Sequence, residues 1–248
     1  MAEEPLTSDG LLGGRLNFAQ PAEGYRVAID PVLLAAAVPA AAGEQVLDLG
    51  AGAGAAALCL AARVAGCRVV GLERDGVLVR LANDNAARNA LGERVAVMAG
   101  DLLRPPPRLA PGSFAHVMAN PPHLEEGQGT ASPYPGRAAA RREGEATLEA
   151  WIGFALAMMR AKASLTLVHR ADRLDAVLAA LYGKLGEIVV FPLWPKADGR
   201  PAKRVIVHAR KGSAAPLRLA FGLVLHRPDG RFTEAADAVL RGAGPLAL

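Results

Sequence analysis

The sequence predicts an α/β fold in which a mostly parallel sheet of seven strands ends in an antiparallel hairpin. From residue 45 to residue 181, short apolar runs that suit buried strands alternate with longer helical patterns. That alternation is typical of a parallel sheet with helices on both faces. Two β-rich runs follow at 187–194 and 204–209. They are too close in sequence for a helical crossover, so we expect them to pair antiparallel at the sheet edge.

Length and composition favour one α/β domain with additions. With 248 residues and 52% hydrophobic content, the chain can bury one sizeable core. We expect a short N-terminal β/α extension, formed by a hairpin and a helix, over residues 1–44. The main domain should span residues 45–211, and a C-terminal extension over 212–248 should pack on that domain.

Composition also limits the class of protein. Cys59 and Cys67 have neither CxxC spacing nor a nearby histidine, so we expect reduced thiols rather than a disulfide or a metal site. The acidic N-terminus lacks the pattern of a signal peptide. The longest apolar runs are shorter than the roughly 20 residues that a membrane span requires. We therefore expect a cytoplasmic protein with no membrane segment and no metal.

The individual elements follow from turn and capping signals. Asp9-Gly10 and Gly13-Gly14 surround short apolar pieces and indicate the N-terminal hairpin. Asp30 suits the N-cap of a helix and Pro31 its first turn. Five strands are expected at 45–49, 68–72, 95–98, 114–119 and 164–169, and helices at 53–64, 75–91 (with Gly92 as its C-cap), 146–160 and 171–181. Residues 124–145 read as a long loop, 217–225 as one more strand, and the tail as a short helix.

A glycine-rich turn follows the first strand of the main domain. The strand ends in Asp48 and runs into three alternating glycines, Gly50, Gly52 and Gly54, before an alanine-rich helix. Strand, glycine turn and helix in this order form a nucleotide-type binding loop, because glycine lets the backbone approach a ligand closely. Taken alone the spacing is a weak signal, since glycines also serve tight turns.

Polar features also fall at the ends of the next three strands. Glu73 follows the second strand, about 20 residues past the glycines, where an acidic side chain can accept hydrogen bonds from both ribose hydroxyls. Asp101 and Leu102 follow the third strand, placed to hold an adenine by its amino group and to cover its face. Asn120-Pro121-Pro122 follows the fourth. Glu73 also suits a helix start and Asp101 a turn, but the joint pattern at the carboxyl ends of strands predicts a ligand site.

With these residues the sequence resembles the class I S-adenosylmethionine-dependent methyltransferases, over roughly residues 45–210. The resemblance implies their Rossmann-like fold and S-adenosylmethionine as cofactor. It implies that Glu73 holds the ribose, that Asp101 and Leu102 contact the adenine, and that the glycine loop lies against the methionine part. Asp48 would orient that loop and approach the amino group of the cofactor.

The segment Asn120-Pro121-Pro122 narrows the expected substrate. In families that share it, the target is a planar NH₂ group: adenine N6, cytosine N4 or a glutamine amide. The Asn120 oxygen and the Pro121 carbonyl would accept its two hydrogens and favour sp³ character, without a strong general base. His123 departs from the family pattern, which has Tyr, Phe or Trp stacking on the base. Histidine stacks less extensively, and an incidental loop histidine is the alternative.

A closer resemblance covers most of the chain. The runs Leu11–Leu16, Gly24–Ala35, Leu167–Arg170 and Pro192–Lys196 are similar to the valine-tRNA adenine-N6 methyltransferase family, which methylates an adenine beside the anticodon. This resemblance implies that Arg26 and Asp30 approach the cofactor end of the pocket. Asp30 can serve as a helix N-cap at the same time.

Charge distribution indicates a polyanionic partner. Residues 151–248 carry 15 Lys or Arg against 7 Asp or Glu, whereas residues 1–150 carry 13 against 17. A basic C-terminal part suggests nucleic acid, although a GC-rich genome that favours Arg would give the same bias. The candidate substrate-binding residues are Lys196 and Arg200 in the late hairpin and Arg137, Arg141 and Arg142 after the Asn-Pro-Pro segment. An ordinary solvated hairpin tip explains the first two equally well.

The sequence thus predicts an S-adenosylmethionine-dependent N-methyltransferase acting on the exocyclic amine of adenine in structured RNA, with tRNA as the expected substrate. The alternatives are a protein glutamine-N5 methyltransferase, a small-molecule or O-methyltransferase, and a cofactor-binding module without activity. The basic C-terminal half argues against a protein target. The intact Asn-Pro-Pro segment argues against an inactive module.

Overall fold

The computed structural model describes residues 5–23, 26–122 and 146–248. It confirms the predicted α/β fold, with a mixed sheet at the centre. The seven expected strands of this sheet are β3 (Gln45–Leu49), β4 (Arg68–Glu73), β5 (Val95–Ala99), β6 (Phe114–Ala119), β7 (Met159–Arg170), β8 (Gly186–Lys196) and β9 (Arg204–Arg210). Strands β5, β4, β3, β6 and β7 lie side by side and parallel, and β9 then runs antiparallel to both β7 and β8.

Two short strands extend this sheet to nine strands within the described residues. Strands β10 (Arg218–Leu219) and β11 (Leu223–His226) both pair parallel to β8. The prediction of one strand over 217–225 was therefore wrong, and so was the placement of the late hairpin at the edge. Gly222 separates the two strands with φ +89°, and a Cβ there would lie 2.2 Å from the Pro192 carbonyl oxygen. Only glycine lets the chain between the two short strands pass so close to β8.

A separate two-stranded hairpin precedes the sheet. Strands β1 (Leu6–Leu11) and β2 (Leu16–Pro21) pair antiparallel, as the turn signals predict. The helices are α1 (Asp30–Ala37), α2 (Ala55–Arg63), α3 (Gly76–Arg88), α4 (Leu148–Met158), α5 (Leu174–Leu181) and α6 (Glu234–Leu240), and a 3₁₀ turn at Ala171–Arg173 precedes α5. None of the described helices combines the length and the hydropathy that a membrane crossing requires.

The two faces of the sheet carry separate cores, because successive strand residues point to opposite sides. On β3, Val46 packs with the hairpin, α1, α2 and α6, whereas Leu47 packs with α4 and α5. Ile152 of α4 and Leu33 of α1 are both fully buried. The sheet is therefore covered on both faces.

Helix α3 ends earlier than predicted, and Gly92 is not its C-cap. The C-cap is Asn89, and Ala90 takes the left-handed conformation with φ +54°. The Leu91 amide donates to Ala86 O at 2.8 Å and the Ala90 amide to Ala87 O at 3.0 Å, which is a Schellman arrangement. Leu91 is buried, so its packing holds Ala90 in a conformation that normally favours glycine.

Asp30 is not the N-cap of α1. Ile29 occupies that position without a side-chain hydrogen bond, and Asp30 is the first helical residue, followed by Pro31. The Asp30 carboxylate accepts a hydrogen bond from Arg204 Nε at 2.9 Å. The side chain therefore ties α1 to the start of β9 instead of capping its own helix.

Candidate active site

The carboxyl ends of β3, β4, β5 and β6 meet at one edge of the sheet. In register, Leu49 lies beside Leu72 on one side and beside Ala119 on the other, and Glu73 lies beside Ala99. The chain proceeds from β3 outward through β4 to β5 and then returns to the other side of β3 as β6. The β3–β6 boundary is therefore the switch point of strand order, where open α/β sheets bind ligands. The glycine loop starts there after β3, and Asn120 lies there after β6.

The glycine loop depends on glycine for conformation and for space. Gly50, Gly52 and Gly54 have φ values of +68°, +55° and +89°. A Cβ on Gly50 would lie 2.6 Å from Cη2 of Trp151 in α4, which is closer than carbon atoms approach. The Gly50 amide donates to Leu72 O at 2.8 Å, so the loop is bound to β4 as it leaves β3. Gly54 is the N-cap of α2.

Glu73 connects the loop to the next helix. Its Oε2 accepts a hydrogen bond from the Gly52 amide at 2.9 Å, and its Oε1 accepts one from the Asp75 amide at 2.9 Å. The second bond is the helix-start role that the sequence left open. The first fixes the loop at its central glycine, so one partly exposed carboxylate lies against the loop where a ribose is expected.

Asp48 is buried directly below the loop, with 2% of its surface exposed. Burial is the main cause that raises the pKa of its carboxyl to about 8; a hydrogen bond from the Ala57 backbone acts in the lowering direction, and the Glu73 charge adds to the rise. Its Oδ2 has no hydrogen-bond partner within the described residues. A buried acceptor without a partner fits a ligand that carries an amino group.

We expect Asp48→Asn to flatten the pH dependence of stability. An exposed aspartate has a pKa of about 4. Because folded Asp48 keeps its proton until about pH 8, the unfolding free energy falls as the pH rises between these two pKa values. The variant should lose that decline in urea unfolding measured across this range, and Asp84→Asn on the exposed face of α3 is the matched control. A decline of equal size in Asp48→Asn would mean that Asp48 is already ionised in the fold.

Asp101 lies where predicted, just past β5, but its carboxylate already accepts a hydrogen bond within a turn. Its Oδ1 accepts a hydrogen bond from the Leu103 amide at 2.9 Å. The preceding Gly100 amide donates to Glu73 O at 2.9 Å, which brings this turn against the end of β4. Leu102 is half-buried and packs against the core on the α4 face. Asp101 therefore has the turn role, and its contact with an adenine stays a prediction.

Asn120 is the polar residue at the end of β6, and its side-chain oxygen is buried. No hydrogen-bond partner of Asn120 Oδ1 occurs among the described residues. Pro121 is buried and Pro122 half-buried beside it, so the backbone that carries the amide is restricted. A buried amide oxygen without a partner costs free energy unless a donor is supplied. His123, the next predicted site residue, lies outside the described residues.

Arg26 and Asp30 are engaged with other parts of the chain. Arg26 donates to Thr7 Oγ1 at 2.8 Å and to Asp9 Oδ2 at 2.7 Å, so its guanidinium is held by β1. Asp30 pairs with Arg204, as described above. The described contacts of both residues therefore connect the hairpin and α1 to the domain, and their approach to a cofactor stays a prediction.

Lys196 and Arg200 lie on the carboxyl edge, but beyond β7. Lys196 Nζ donates to Pro228 O at 3.0 Å, and Arg200 pairs with Asp198 at 2.8 Å. Because β8 runs antiparallel to β9, the 197–203 connection emerges on the same edge as Arg170. Three strand spacings separate β8 from β6, so the two strands lie about 14 Å apart along the edge. Arg137, Arg141 and Arg142 lie outside the described residues.

The sequence reasoning missed two asparagines of α3. Asn83 exchanges two hydrogen bonds with the backbone of Val97 in β5, and Asn85 does so with Ala19 in β2. Asn85 also donates to Ala53 O, inside the glycine loop, at 3.1 Å. Asparagine is unfavourable in a helix interior, and two of them near the middle of an amphipathic helix were a signal that could have been used.

A second polar cluster lies at the opposite, amino edge of the sheet. His116 Nδ1 is 2.8 Å from Ser164 Oγ, and its Nε2 is 2.9 Å from Glu44 Oε2. Arg160 donates to the other Glu44 oxygen at 2.9 Å. Burial lowers the pKa of His116, against the raising effect of Glu44. The cluster links the starts of β3, β6 and β7 and lies at the far ends of these strands from Asn120.

Comparison with known proteins decides the family. The sequence model of the methyltransferase small domain matches residues 26–133. A tRNA1(Val) (adenine(37)-N6)-methyltransferase from Porphyromonas gingivalis is 31% identical over 222 residues, which is 84% of each chain. The chain belongs to this methyltransferase family. It is therefore an enzyme, and as a class I methyltransferase it uses S-adenosylmethionine as its cofactor.

Solved structures agree on the fold of this methyltransferase. The crystal structure of a predicted O-methyltransferase from Agrobacterium tumefaciens superposes with a TM-score of 0.73 at 27% identity, covering 88% of this chain and 99% of that one. A geranyl diphosphate C-methyltransferase from Streptomyces coelicolor A3(2) has a TM-score of 0.54 at 12% identity, covering 73% and 76%. Its structure contains Mg²⁺, whereas the described residues of this chain include no group of three metal-ligating side chains.

The residues at the carboxyl edge fit this cofactor. Two buried oxygens that have no partner among the described residues, on Asp48 and Asn120, flank the glycine loop at the switch point. Three glycines with positive φ leave the backbone open there. The residues that would hold the cofactor are Asp48, the loop glycines, Glu73, Asp101 and Leu102. The methyl group on its sulfonium supplies the electrophile.

Proposed function

We propose that this methyltransferase transfers a methyl group to the exocyclic N6 amine of an adenine in structured RNA, and that the RNA is a tRNA. The observation that carries the proposal is the buried oxygen of Asn120 beside the glycine loop, which accepts no hydrogen bond from the part of the chain that the structure describes. An acceptor in that position suits an NH₂ donor. The relatives named tRNA1(Val) (adenine(37)-N6)-methyltransferase, at 31% and 27% identity, support adenine in tRNA.

The proposed chemistry needs two acceptors aimed at one nitrogen. The amine of adenine is a poor nucleophile, because its lone pair is delocalised into the ring. Asn120 Oδ1 accepts one amine hydrogen and the Pro121 carbonyl accepts the other, so the nitrogen is drawn toward a tetrahedral geometry and its lone pair becomes available. The restricted backbone of Pro121 and Pro122 keeps both acceptors fixed, and this preorganisation lowers the barrier without a strong base.

The basic side chains on the same edge suit the phosphates of the RNA. Arg170 and Arg204 face each other in register at the ends of β7 and β9, one and two strands from β6. Asp172 pairs with the first and Asp30 with the second, so this part of the edge is only moderately positive. Lys196 and Arg200 continue the row. Such contacts position a nucleic acid without reading its sequence.

The test is incubation of the enzyme with radiolabelled S-adenosylmethionine and separate fractions of tRNA, DNA and protein. We expect label only in tRNA, and nucleoside digestion should release it as N6-methyladenosine. Label in protein, recovered as methylglutamine, would replace the proposal with the glutamine alternative. Label on a small molecule or on an oxygen atom would favour the remaining alternative.

A further inference from the structure

The side chain of Asn85 joins three parts of the molecule. Asn85 is fully buried on α3. Its Oδ1 accepts from the Ala19 amide at 2.9 Å, and its Nδ2 donates to Ala19 O at 2.8 Å and to Ala53 O at 3.1 Å. Ala19 lies in β2 of the N-terminal hairpin, and Ala53 lies in the glycine loop. One side chain therefore bonds the hairpin and the cofactor loop at once.

The hairpin docks on α3 through a repeated contact. Asn89, four residues after Asn85, makes the same pair of bonds with the Asn17 backbone, both at 2.8 Å. Side chains four apart on a helix lie 5–6 Å apart, and strand residues two apart lie about 6.6 Å apart, so the two amides match the free edge of β2. Within the described contacts, Asn85 reaches the glycine loop and Asn89 does not.

The Ala53 carbonyl lies where the glycine loop enters α2. Ala53 lies between Gly52 and Gly54, which both have positive φ and few steric limits on rotation. The Gly52 amide donates to Glu73, and Gly54 begins α2. The orientation of the peptide between Ala53 and Gly54 therefore sets how the loop enters the helix, and Asn85 holds that peptide by its oxygen.

We propose that Asn85 is a positioning residue that makes the geometry of the cofactor loop depend on the docked hairpin. Binding of cofactor to the loop then stabilises hairpin docking by the same factor, because coupling between two sites is reciprocal. The inference rests on the glycine loop as the cofactor site and not on the RNA substrate. Its test consequently uses cofactor binding and hydrogen exchange, which keep their meaning whatever substrate is methylated.

The first experiment compares Asn85→Ala with the matched control Asn89→Ala. Calorimetry with S-adenosylhomocysteine should give about tenfold weaker binding for Asn85→Ala, within the usual range of coupling, and a change of no more than about twofold for Asn89→Ala. At saturating cofactor, kcat of Asn85→Ala should stay within about twofold of wild type, because the reacting groups are intact. Wild-type affinity for S-adenosylhomocysteine in both variants, or the same loss of affinity in both, would overturn the proposal.

The second experiment needs no variant, so it also decides the case in which Asn85→Ala fails to fold. Amide hydrogen exchange of the wild-type enzyme is measured with and without S-adenosylhomocysteine. The ligand should slow exchange in the glycine loop and also at Ala19 and Asn17 in β2. Protection confined to the loop, with exchange in β2 unchanged, would show that the two elements are independent and would overturn the inference.

Discussion

Replacing Asn120 with alanine should lower the rate of methyl transfer at least about a hundredfold and leave cofactor affinity within about twofold. Removing one preorganised hydrogen-bonding group from an active site typically costs a factor of about 10² to 10³ in kcat. Asn120 Oδ1 is buried and has no partner in the described part of the chain, so its removal leaves no other described group unsatisfied. The loss should therefore appear in the chemical step and not in folding.

Single-turnover methylation with saturating cofactor measures this step, and calorimetry with S-adenosylhomocysteine measures binding. Asn120→Asp keeps an acceptor oxygen in the same place and should retain more activity than the alanine variant. Asn17→Ala, an exposed asparagine on the hairpin, is the control for a general effect of the substitution. Loss of cofactor binding in Asn120→Ala, or undiminished transfer, would remove Asn120 from the role proposed for it.

Gly50→Ala should destabilise the enzyme by about 2–5 kcal/mol and abolish cofactor binding under conditions where the wild type is saturated. The left-handed conformation of Gly50 costs an alanine about 1–2 kcal/mol. The methyl group would also lie 2.6 Å from Trp151 Cη2, and overpacking of this kind costs about 1–3 kcal/mol. Relief of the clash must move either α4 or the loop, and the loop carries the ligand-facing backbone.

Two further variants separate strain from crowding. Gly43 has φ +83°, and a Cβ added there would have no described atom within 4 Å, so Gly43→Ala reports the conformational cost alone. Trp151→Leu in the Gly50→Ala background removes the ring and should recover part of the lost stability. Urea unfolding gives the free energies, and calorimetry gives the binding. Similar destabilisation of the Gly43 and Gly50 variants would show that Trp151 does not constrain the loop.

The parts of the site that local sequence pattern could predict are those built from a strand end and the turn after it. Asp48 with its glycines, Glu73 and Asn120 each follow an apolar run directly, and parallel strands bring such positions to one edge. The fold could be predicted for the same reason, since helices of readable period separate β3 from β4, β4 from β5, and β6 from β7. Each of these inferences uses residues within one strand–turn–helix unit.

The remaining features depend on contacts between distant segments. Asn85 lies 66 residues from Ala19 and 32 from Ala53, and Arg204 lies 174 residues from Asp30. No local pattern encodes the angle at which α3 meets the hairpin, so these bonds could not be derived. The end of α3 at Asn89 and the division of the 217–225 strand into two were not predicted, because burial of Leu91 and close approach at Gly222 override local turn signals.

The cluster of Ser164, His116 and Glu44 has the hydroxyl–imidazole–carboxylate distances by which hydrolases are recognised in searches with geometric templates. Here the hydroxyl residue is 1% exposed, so no scissile bond can reach it. Distances alone therefore do not distinguish this cluster from the catalytic triad of an esterase. Solvent access to the hydroxyl oxygen separates a catalytic nucleophile from a serine with a structural role, and the buried Ser164 has the structural role.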